Sequence, residues 1–207
     1  MQMVTTEPVG LRERKKAEAR AAIIEAALQL YRERGFDAVT IDQIAERAGV
    51  ARRTYFRYFE TKEAVVIDRR LKQLEKFRAL IEGAPPSLGG VDVLREAMKT
   101  MAADFNKGKR RILAERALFA SSRHLAARDV QVDREFEDVI AEAVMKRSAK
   151  NAVAQRGARL YAAAAMGVLR VLLDEWAASD GEVDLIKLGN PAIDAIAGLA
   201  PPHKPPR

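Results

Sequence analysis

The chain of 207 residues has no cysteine, only two histidines and no long run of apolar residues. The absence of cysteine excludes disulfide bonds, thiolate nucleophiles and cysteine-ligated zinc. The longest apolar run, residues 160–169, is far shorter than the roughly 20 residues that a membrane-spanning helix needs. The amino terminus carries Glu7 and Pro8 instead of the apolar segment of a signal peptide. Together these absences predict a cytoplasmic protein.

Motifs that mark catalytic sites are also missing from the sequence. It has no HExxH or CxxC spacing for a metal, no glycine-rich phosphate loop and no GxSxG nucleophile turn. The adjacent Asp174 and Glu175 point in different directions on a helix, so they do not form a carboxylate pair. We therefore expect no enzyme activity, no cofactor and no metal.

Positive charge is in excess: 36 lysines and arginines against 29 acidic residues give a net charge of +7. Such a balance favours a polyanionic partner, either nucleic acid or an anionic membrane surface. A membrane-binding helix would combine a basic face with a bulky apolar face. The first helical segment is too rich in alanine for that, which favours nucleic acid.

Apolar residues recur at helical spacing throughout the chain, and no stretch alternates with the period of a strand. The fold class is therefore predicted to be all-α, with about nine helices. The segment 83–90, rich in glycine and proline, marks the main break. We predict two domains, 11–60 and 61–200, with a helix over 61–82 connecting them. The ends, 1–10 and the proline-rich 201–207, are expected to be disordered.

The first domain shows the pattern of a helix-turn-helix. Its first helix has an apolar face formed by Ile24, Ala27, Leu28 and Tyr31. Thr40 and Gln43 form a capping box at the start of a second helix. Gly49 ends that helix and a third begins at 52, while Thr61 caps a fourth. Two short helices joined by a glycine turn are typical of this DNA-binding motif.

The second helix of such a motif enters the major groove and presents its first residues to base edges. Here those residues are Arg52, Arg53 and Thr54. Arginine bonds guanine bidentately, and the threonine methyl can contact a thymine methyl. Phe56 and Arg57 lie one turn further along the same face. The sequence thus favours DNA contact over an ordinary charged surface.

The stretch 35–62, GFDAVTIDQIAERAGVARRTYFRYFETK, resembles the signature of the TetR/AcrR family of transcriptional regulators. The resemblance implies phosphate contacts from Thr40, Tyr58 and Lys62, with Tyr55 and Phe59 in the core. It implies base or backbone contacts from the following residues: Gln43, Arg52, Arg53, Thr54, Phe56 and Arg57. Ala51 departs from the family pattern, in which a capping serine is common at this position. The body is similar to regulators of the mycofactocin type.

Basic residues also crowd the start of the first helix, at Arg12, Arg14, Lys15, Lys16 and Arg20. They are interleaved with Glu13 and Glu18, so a surface helix bearing salt bridges is one interpretation. The family resemblance favours a second interpretation, a basic arm beside the DNA.

A helix near residues 160–176 is apolar around most of its circumference and must be buried on most sides. We expect one side to meet the core and another side a second subunit, since two-fold dimers match palindromic half-sites. The predicted dimer contacts are Val168, Val171, Leu172, Trp176, Ile193 and Ile196. The last helical region, 183–199, is expected to kink or restart at Pro191.

Methionine and aromatic residues gather in the second domain and are either ordinary core or the wall of an effector pocket. The predicted ligand-contacting residues are Met98, Met101, Phe105, Phe119, Phe136, Tyr161 and Met166. His124 is a candidate polar contact, although a surface role suits it better. The resemblance implies a homodimeric repressor that binds a palindromic DNA operator and responds to a small apolar effector. The alternative is a helical ligand-binding or interaction protein with degenerate DNA binding.

Overall fold

Helices account for nearly all the regular structure in the computed structural model, which describes residues 10–204. Within that range the elements are α1 (Leu11–Arg34), α2 (Ile41–Arg47), α3 (Arg52–Phe56), α4 (Lys62–Glu82), α5 (Gly90–Lys107), α6 (Lys109–Ser121), α7 (Arg123–Lys146), α8 (Ala152–Ala178), α9 (Leu185–Ile196) and a 3₁₀ turn, Ala197–Leu199. The sole extended pairing among these residues is an isolated bridge between Ser148 and His203. The all-α prediction is confirmed.

The chain divides into two compact units, Met1–Arg69 and Arg70–Arg207. The division falls inside α4, the helix that the sequence predicts to connect two domains. We call the first unit the head and the second unit the body. The predicted break over 83–90 separates α4 from α5, as expected from its glycine and proline content.

The head packs α1 against α2, and α2 against α3. The buried face of α1 consists of Ile23, Ala26, Ala27, Leu30 and Tyr31. The predicted face, which included Ile24 and Leu28, is rotated by about one residue from the observed one. Adjacent apolar residues, Ile23 beside Ile24, fit two neighbouring stripes equally well, so spacing alone could not select the correct one.

The body is built around α8, which packs on α7 and α9. Gly90 lets α5 approach α7 closely, because a Cβ atom there would lie 2.9 Å from Val144. At the other end of the body, Trp176 is fully buried and its ring lies 6.2 Å from that of Phe105. No helix within residues 10–204 is both long enough and apolar enough to cross a membrane.

Two expectations about the end of the chain, a helix restart at Pro191 and disorder of residues 201–204, are wrong within the described residues, while a kink at Pro191 stays a prediction. The helix α9 runs continuously through Pro191, with Leu185, Gly189 and Ile193 forming one buried stripe. Burial of this stripe stabilises the helix by more than is lost with the one backbone hydrogen bond that proline cannot donate. Residues 201–204 are also ordered, because the Lys204 amide donates to the Arg147 carbonyl at 2.8 Å. The other residues predicted to be disordered, 1–9 and 205–207, lie outside the described range.

Candidate nucleic-acid interface and effector cavity

The start of α2 is fixed by the predicted capping box. The Gln43 amide donates to the Thr40 hydroxyl at 3.3 Å, and the Gln43 side chain accepts from the Thr40 amide at 3.0 Å. Each side chain thereby satisfies an amide that has no partner inside the helix. The capping box therefore sets where α2 begins and leaves the rest of both side chains at the surface.

A tight turn joins α2 to α3. Gly49 adopts φ +65°, a conformation that favours glycine, and the Val50 amide donates to the Ala45 carbonyl at 2.9 Å. Ala45 is buried and small, so the two helices can approach each other. This geometry confirms the helix-turn-helix prediction.

The helix α3 has a buried side and an exposed side. Tyr55 is fully buried, Phe59 just after the helix is buried too, and the Tyr55 hydroxyl donates to the Thr61 carbonyl at 3.0 Å. Burial raises the pKa of Tyr55, so the hydroxyl stays a donor. The opposite side exposes Arg52, Arg53 and Arg57, with Phe56 42% exposed and Thr54 half-buried. The structure thus brings the predicted α3 residues together on one outward surface, which we call the reading face.

Two arginines of the reading face contact neighbouring side chains. Arg52 pairs with Asp42 of α2, with Nη1 at 2.6 and 2.5 Å from its two carboxylate oxygens. Arg57 donates to the Tyr58 hydroxyl at 3.2 Å and lies over the Tyr58 ring. Arg53, by contrast, forms no ion pair with any residue of the 10–204 range. Sequence reasoning missed the contribution of Asp42, because no motif places an acidic residue opposite Arg52.

Lys62 does not lie on an open surface as its predicted phosphate contact would require. Its ammonium donates to the carbonyls of Phe36, Asp37 and Val39 at 3.0 to 3.2 Å. It also lies 4.4 Å from the centre of the Phe36 ring. Since an ammonium has three N–H donors, the loop before α2 occupies all of them. The observed contacts therefore make Lys62 a positioning residue of the head.

The basic start of α1 shows weak ion pairs. Arg14 lies 3.6 Å from Glu18 and Lys16 lies 3.9 Å from Glu13, all with side chains more than 60% exposed. Arg20 differs from them because it pairs with Asp68 and lies over the Phe59 ring. The surface-helix interpretation fits these contacts, and exposed pairs this weak leave Arg14 and Lys16 accessible to another anion.

A cavity of about 360 Å³ lies in the body, between α4, α5, α6, α7, α8 and α9. The predicted residues Met98, Met101, Phe105, Phe119, Phe136 and Met166 all line it. Tyr161 does not line the cavity. Its side chain is fully buried, and burial raises its pKa to about 12. His124 is exposed and lies away from the cavity wall.

Several charged residues line the cavity beside the apolar ones, and three of them form one connected group. Arg70 donates to Asp129 at 2.8 Å and to Asp133 at 2.5 Å, and its guanidinium lies over the Phe136 ring. Burial raises the pKa of Asp133, although Arg70 opposes this effect. The spacing of Asp129 and Asp133 puts both on one face of α7, but nothing in the sequence connects them to Arg70. Sequence reasoning therefore missed this group.

Half of the predicted dimer contacts are inside the body. Trp176 is fully buried, while Leu172 and Ile193 are 7% and 2% exposed. Their inclusion in a subunit interface is wrong because helices of the same chain already cover them. Val171 is 55% exposed, and Val168 and Ile196 are half-buried. The outer side of α8 also exposes Leu160 at 53% and Val153 at 82%.

The family follows from direct comparison with known proteins. Residues 23–68 match the bacterial regulatory proteins of the tetR family, and residues 88–200 match the MftR C-terminal domain. The chain belongs to the TetR family of bacterial regulatory proteins. The resemblance predicted from residues 35–62 is confirmed.

Among curated relatives, the chain is similar to the HTH-type transcriptional regulator TcmR of Streptomyces glaucescens. The two are 32% identical over 100 residues, which is 48% of this chain and 44% of TcmR. The match therefore spans less than half the length of that relative.

Solved structures share the fold over most of the chain. The SmeT–triclosan complex matches with a TM-score of 0.65 at 18% identity, covering 91% of this chain and 97% of the other. Thermus thermophilus FadR, a TetR-family repressor in complex with lauroyl-CoA, matches with a TM-score of 0.55 at 25% identity. That match covers 91% of this chain and 98% of FadR.

Proposed function

We propose that the protein is a homodimeric transcriptional regulator that binds a palindromic DNA operator and releases it when an effector enters the body. The observation that carries the proposal is the reading face, where three arginines are exposed on a helix whose other side is buried. In a helix-turn-helix this face meets the major groove. The proposal assigns the protein no catalytic step and a cytoplasmic location, where its operator DNA would be.

DNA contacts are assigned as follows. Arg52, Thr54, Phe56 and Arg57 would meet bases or nearby backbone, and Arg53 would meet a base or a phosphate. Thr40, Gln43 and Tyr58 would reach phosphates from around the reading face. We assign Lys62 an indirect role, because its ammonium holds the loop before α2.

For the dimer we propose the outer side of α8, where Val153, Leu160 and Val171 are exposed together. Half-buried Val168 and Ile196 would complete its edge. A row of exposed aliphatic side chains on one helix is unfavourable in water and favours an isologous contact with a second copy. Leu160→Arg should shift the protein towards monomer in sedimentation equilibrium, whereas the exposed non-apolar control Gln155→Arg should not.

The effector would bind in the cavity. Its wall is mainly apolar, with methionine, phenylalanine and leucine among the aliphatic and aromatic residues, so it favours a molecule with a large apolar part. Methionine side chains adapt to different shapes. FadR and SmeT, which share this fold, were solved with lauroyl-CoA and triclosan respectively. An effector that binds one dimer state more tightly would shift the population away from DNA-competent dimers.

The DNA-binding proposal is tested by selecting bound fragments from a randomised duplex library at moderate salt. Wild-type protein should recover a palindrome, and Arg53→Ala should weaken binding to it and lower the salt dependence. Arg32→Ala, an exposed arginine on α1, serves as the control and should change neither. Binding that ignores sequence and is unaffected by Arg53→Ala would contradict the proposal and favour a ligand-binding protein with degenerate DNA binding.

The effector proposal can be followed through the single tryptophan, Trp176, which lies beside cavity-lining Phe105. Titration with lauroyl-CoA or lauric acid should change its fluorescence and weaken operator binding in parallel. Met98→Gln puts a polar group on the wall and should weaken the ligand response. Met145→Gln, at a half-buried methionine away from the cavity, should leave the response intact. Equal responses in both variants would place the ligand elsewhere.

A further inference from the structure

Asp42 and Arg52 form a link between α2 and α3 that has no counterpart at the other arginines of the reading face. The carboxylate of Asp42 engages Arg52 through a single nitrogen, Nη1, using both oxygens. Both side chains are about 60% exposed, so the pair lies at the surface, where DNA would approach. The contact uses one of the three guanidinium nitrogens, Nη1.

The remaining edge of the Arg52 guanidinium is free to donate. Its Nε and Nη2 form no hydrogen bond or ion pair with any residue between 10 and 204. Bidentate recognition of guanine uses two parallel N–H donors directed at O6 and N7. The Nε–Nη2 edge supplies two such donors with fixed spacing. Asp42 therefore leaves unoccupied the edge that base recognition needs.

A second contact, besides the pair with Asp42, restricts the orientation of this guanidinium. Its centre lies 5.5 Å from the centre of the Phe56 ring, one turn along α3. With Asp42 on one corner and an aromatic ring beside it, the side chain has fewer orientations to lose on binding. Arg53, with no ion pair to a described residue, has no comparable restraint.

The charges at the start of α3 explain why an acidic partner belongs there. The first turn of α3 contains Arg52 and Arg53 and no acidic residue, and Ala51 provides no side-chain cap. Positive charge at a helix amino terminus is unfavourable because the backbone dipole already makes that end positive. Asp42 supplies the missing negative charge from the neighbouring helix. It stabilises both α3 and the orientation of Arg52.

From these contacts we infer that Arg52 reads a guanine in each operator half-site, with Asp42 as the positioning residue that presents its Nε–Nη2 edge. Arg53, in the same turn and without such a restraint, would then contact a phosphate. This inference rests on the proposed function, since it names which side chain carries sequence information. It assigns different roles to Arg52 and Arg53, which the sequence does not distinguish.

The test compares operator selection and affinity for wild type, Asp42→Ala and Glu46→Ala. Glu46 is exposed one turn further along α2 and forms no ion pair with a described residue. Its replacement therefore removes the same charge without touching Arg52. For Asp42→Ala we expect the preference for guanine at one half-site position to fall about tenfold, in the range of a lost bidentate contact. Glu46→Ala should keep that preference.

Other measurements distinguish positioning from a merely structural or charge effect. Arg52→Met should lose the same guanine preference, because methionine has no N–H donor for guanine O6 and N7. Asp42→Glu should restore part of it. Arg53→Ala should keep the preference while lowering the salt dependence by about one phosphate contact. Melting curves should show Asp42→Ala folded.

Retention of guanine selectivity in Asp42→Ala or in Arg52→Met would overturn the inference. Equal loss in Asp42→Ala and Glu46→Ala would also overturn it, since the cause would then be charge alone. If wild-type protein recovers no sequence at all, the proposed function itself fails. That outcome is distinguishable from failure of the Asp42 inference.

Discussion

The head and the body of this protein place their candidate functional side chains in opposite ways. In the head, Arg52, Arg53 and Arg57 point out of a small core, so they contribute little to folding. In the body, the candidate effector-binding residues are the inner walls of the core itself. Function and stability are therefore separable in the head and coupled in the body. Substitutions can test how far this separation goes.

The largest effect is expected from Trp176→Ala in the body. The side chain is fully buried, and its loss should lower the free energy of unfolding by about 3–5 kcal/mol. Its indole N–H has no hydrogen-bond partner among the described residues, so the cost comes from packing. Urea denaturation monitored by circular dichroism measures this loss of free energy of unfolding. Gln155→Ala, at an exposed site of the same helix outside the proposed dimer contact, should change stability by less than about 0.5 kcal/mol.

Arg70→Met should cost about 2 kcal/mol, because it leaves Asp129 and Asp133 without their shared cation. The value is smaller than for a fully buried pair, since both carboxylates keep some access to water. Arg78→Met on the same helix is the control, because Arg78 is exposed and forms no ion pair with described residues. Equal effects from both substitutions would contradict a role for the ion pairs.

The same group predicts a pH dependence. Burial raises the pKa of Asp133 in the folded state above its ordinary value. Its contribution to stability is therefore fully present below the unfolded-state pKa and is lost as the pH rises through the folded-state pKa. Asp133→Asn should flatten the stability profile across that acidic window. An unchanged profile in this variant would assign the pH dependence to other groups.

Lys62→Met should cost about 2 kcal/mol in the head, as expected for hydrogen bonds from a charged group. DNA affinity should fall as well, but its salt dependence should stay as in wild type if Lys62 acts only by positioning. If the slope of DNA affinity against salt fell by the equivalent of about one phosphate contact, the result would instead support the direct phosphate contact predicted for Lys62. Lys15→Met, at an exposed lysine of α1, is the matched control for stability.

The smallest effect is expected from Thr40→Ala, which removes one side of the capping box. Loss of such a cap costs about 1 kcal/mol. Thr100→Ala provides the comparison, because an exposed threonine inside a helix has lower helix propensity than alanine. A thermal melt should therefore show Thr40→Ala destabilised and Thr100→Ala unchanged or slightly stabilised. The reverse order would argue against the cap.

Local rules predicted much of the head from the sequence. The capping box at Thr40 and the glycine turn follow from short-range patterns that act through one or two hydrogen bonds or one helical turn. The burial of Tyr55 and Phe59 was implied by the family resemblance. The apolar face of α1 was misplaced because two isoleucines are adjacent. Asp42 was missed because its partner comes from another helix, and no local pattern records such a contact.

In the body, composition identified six residues of the cavity wall but not the burial of individual residues. Methionine and phenylalanine between amphipathic helices are poor candidates for exposed surface, which is why six predicted residues line the cavity. Trp176 and Leu172 were assigned to a subunit interface because α8 is apolar on most sides. Which side meets its own chain depends on the packing of α5 and α9, and spacing within α8 cannot indicate that.

The contact between Lys62 and the loop before α2 has an evolutionary consequence. Its ammonium donates to the main-chain oxygens of residues 36, 37 and 39, which every amino acid possesses, so these hydrogen bonds by themselves require no particular side chain at 37 or 39. The cationic side chain at 62 is the constrained member of the interaction, together with the ring of Phe36. These three hydrogen bonds therefore survive a change of side chain in the loop wherever the backbone path is kept.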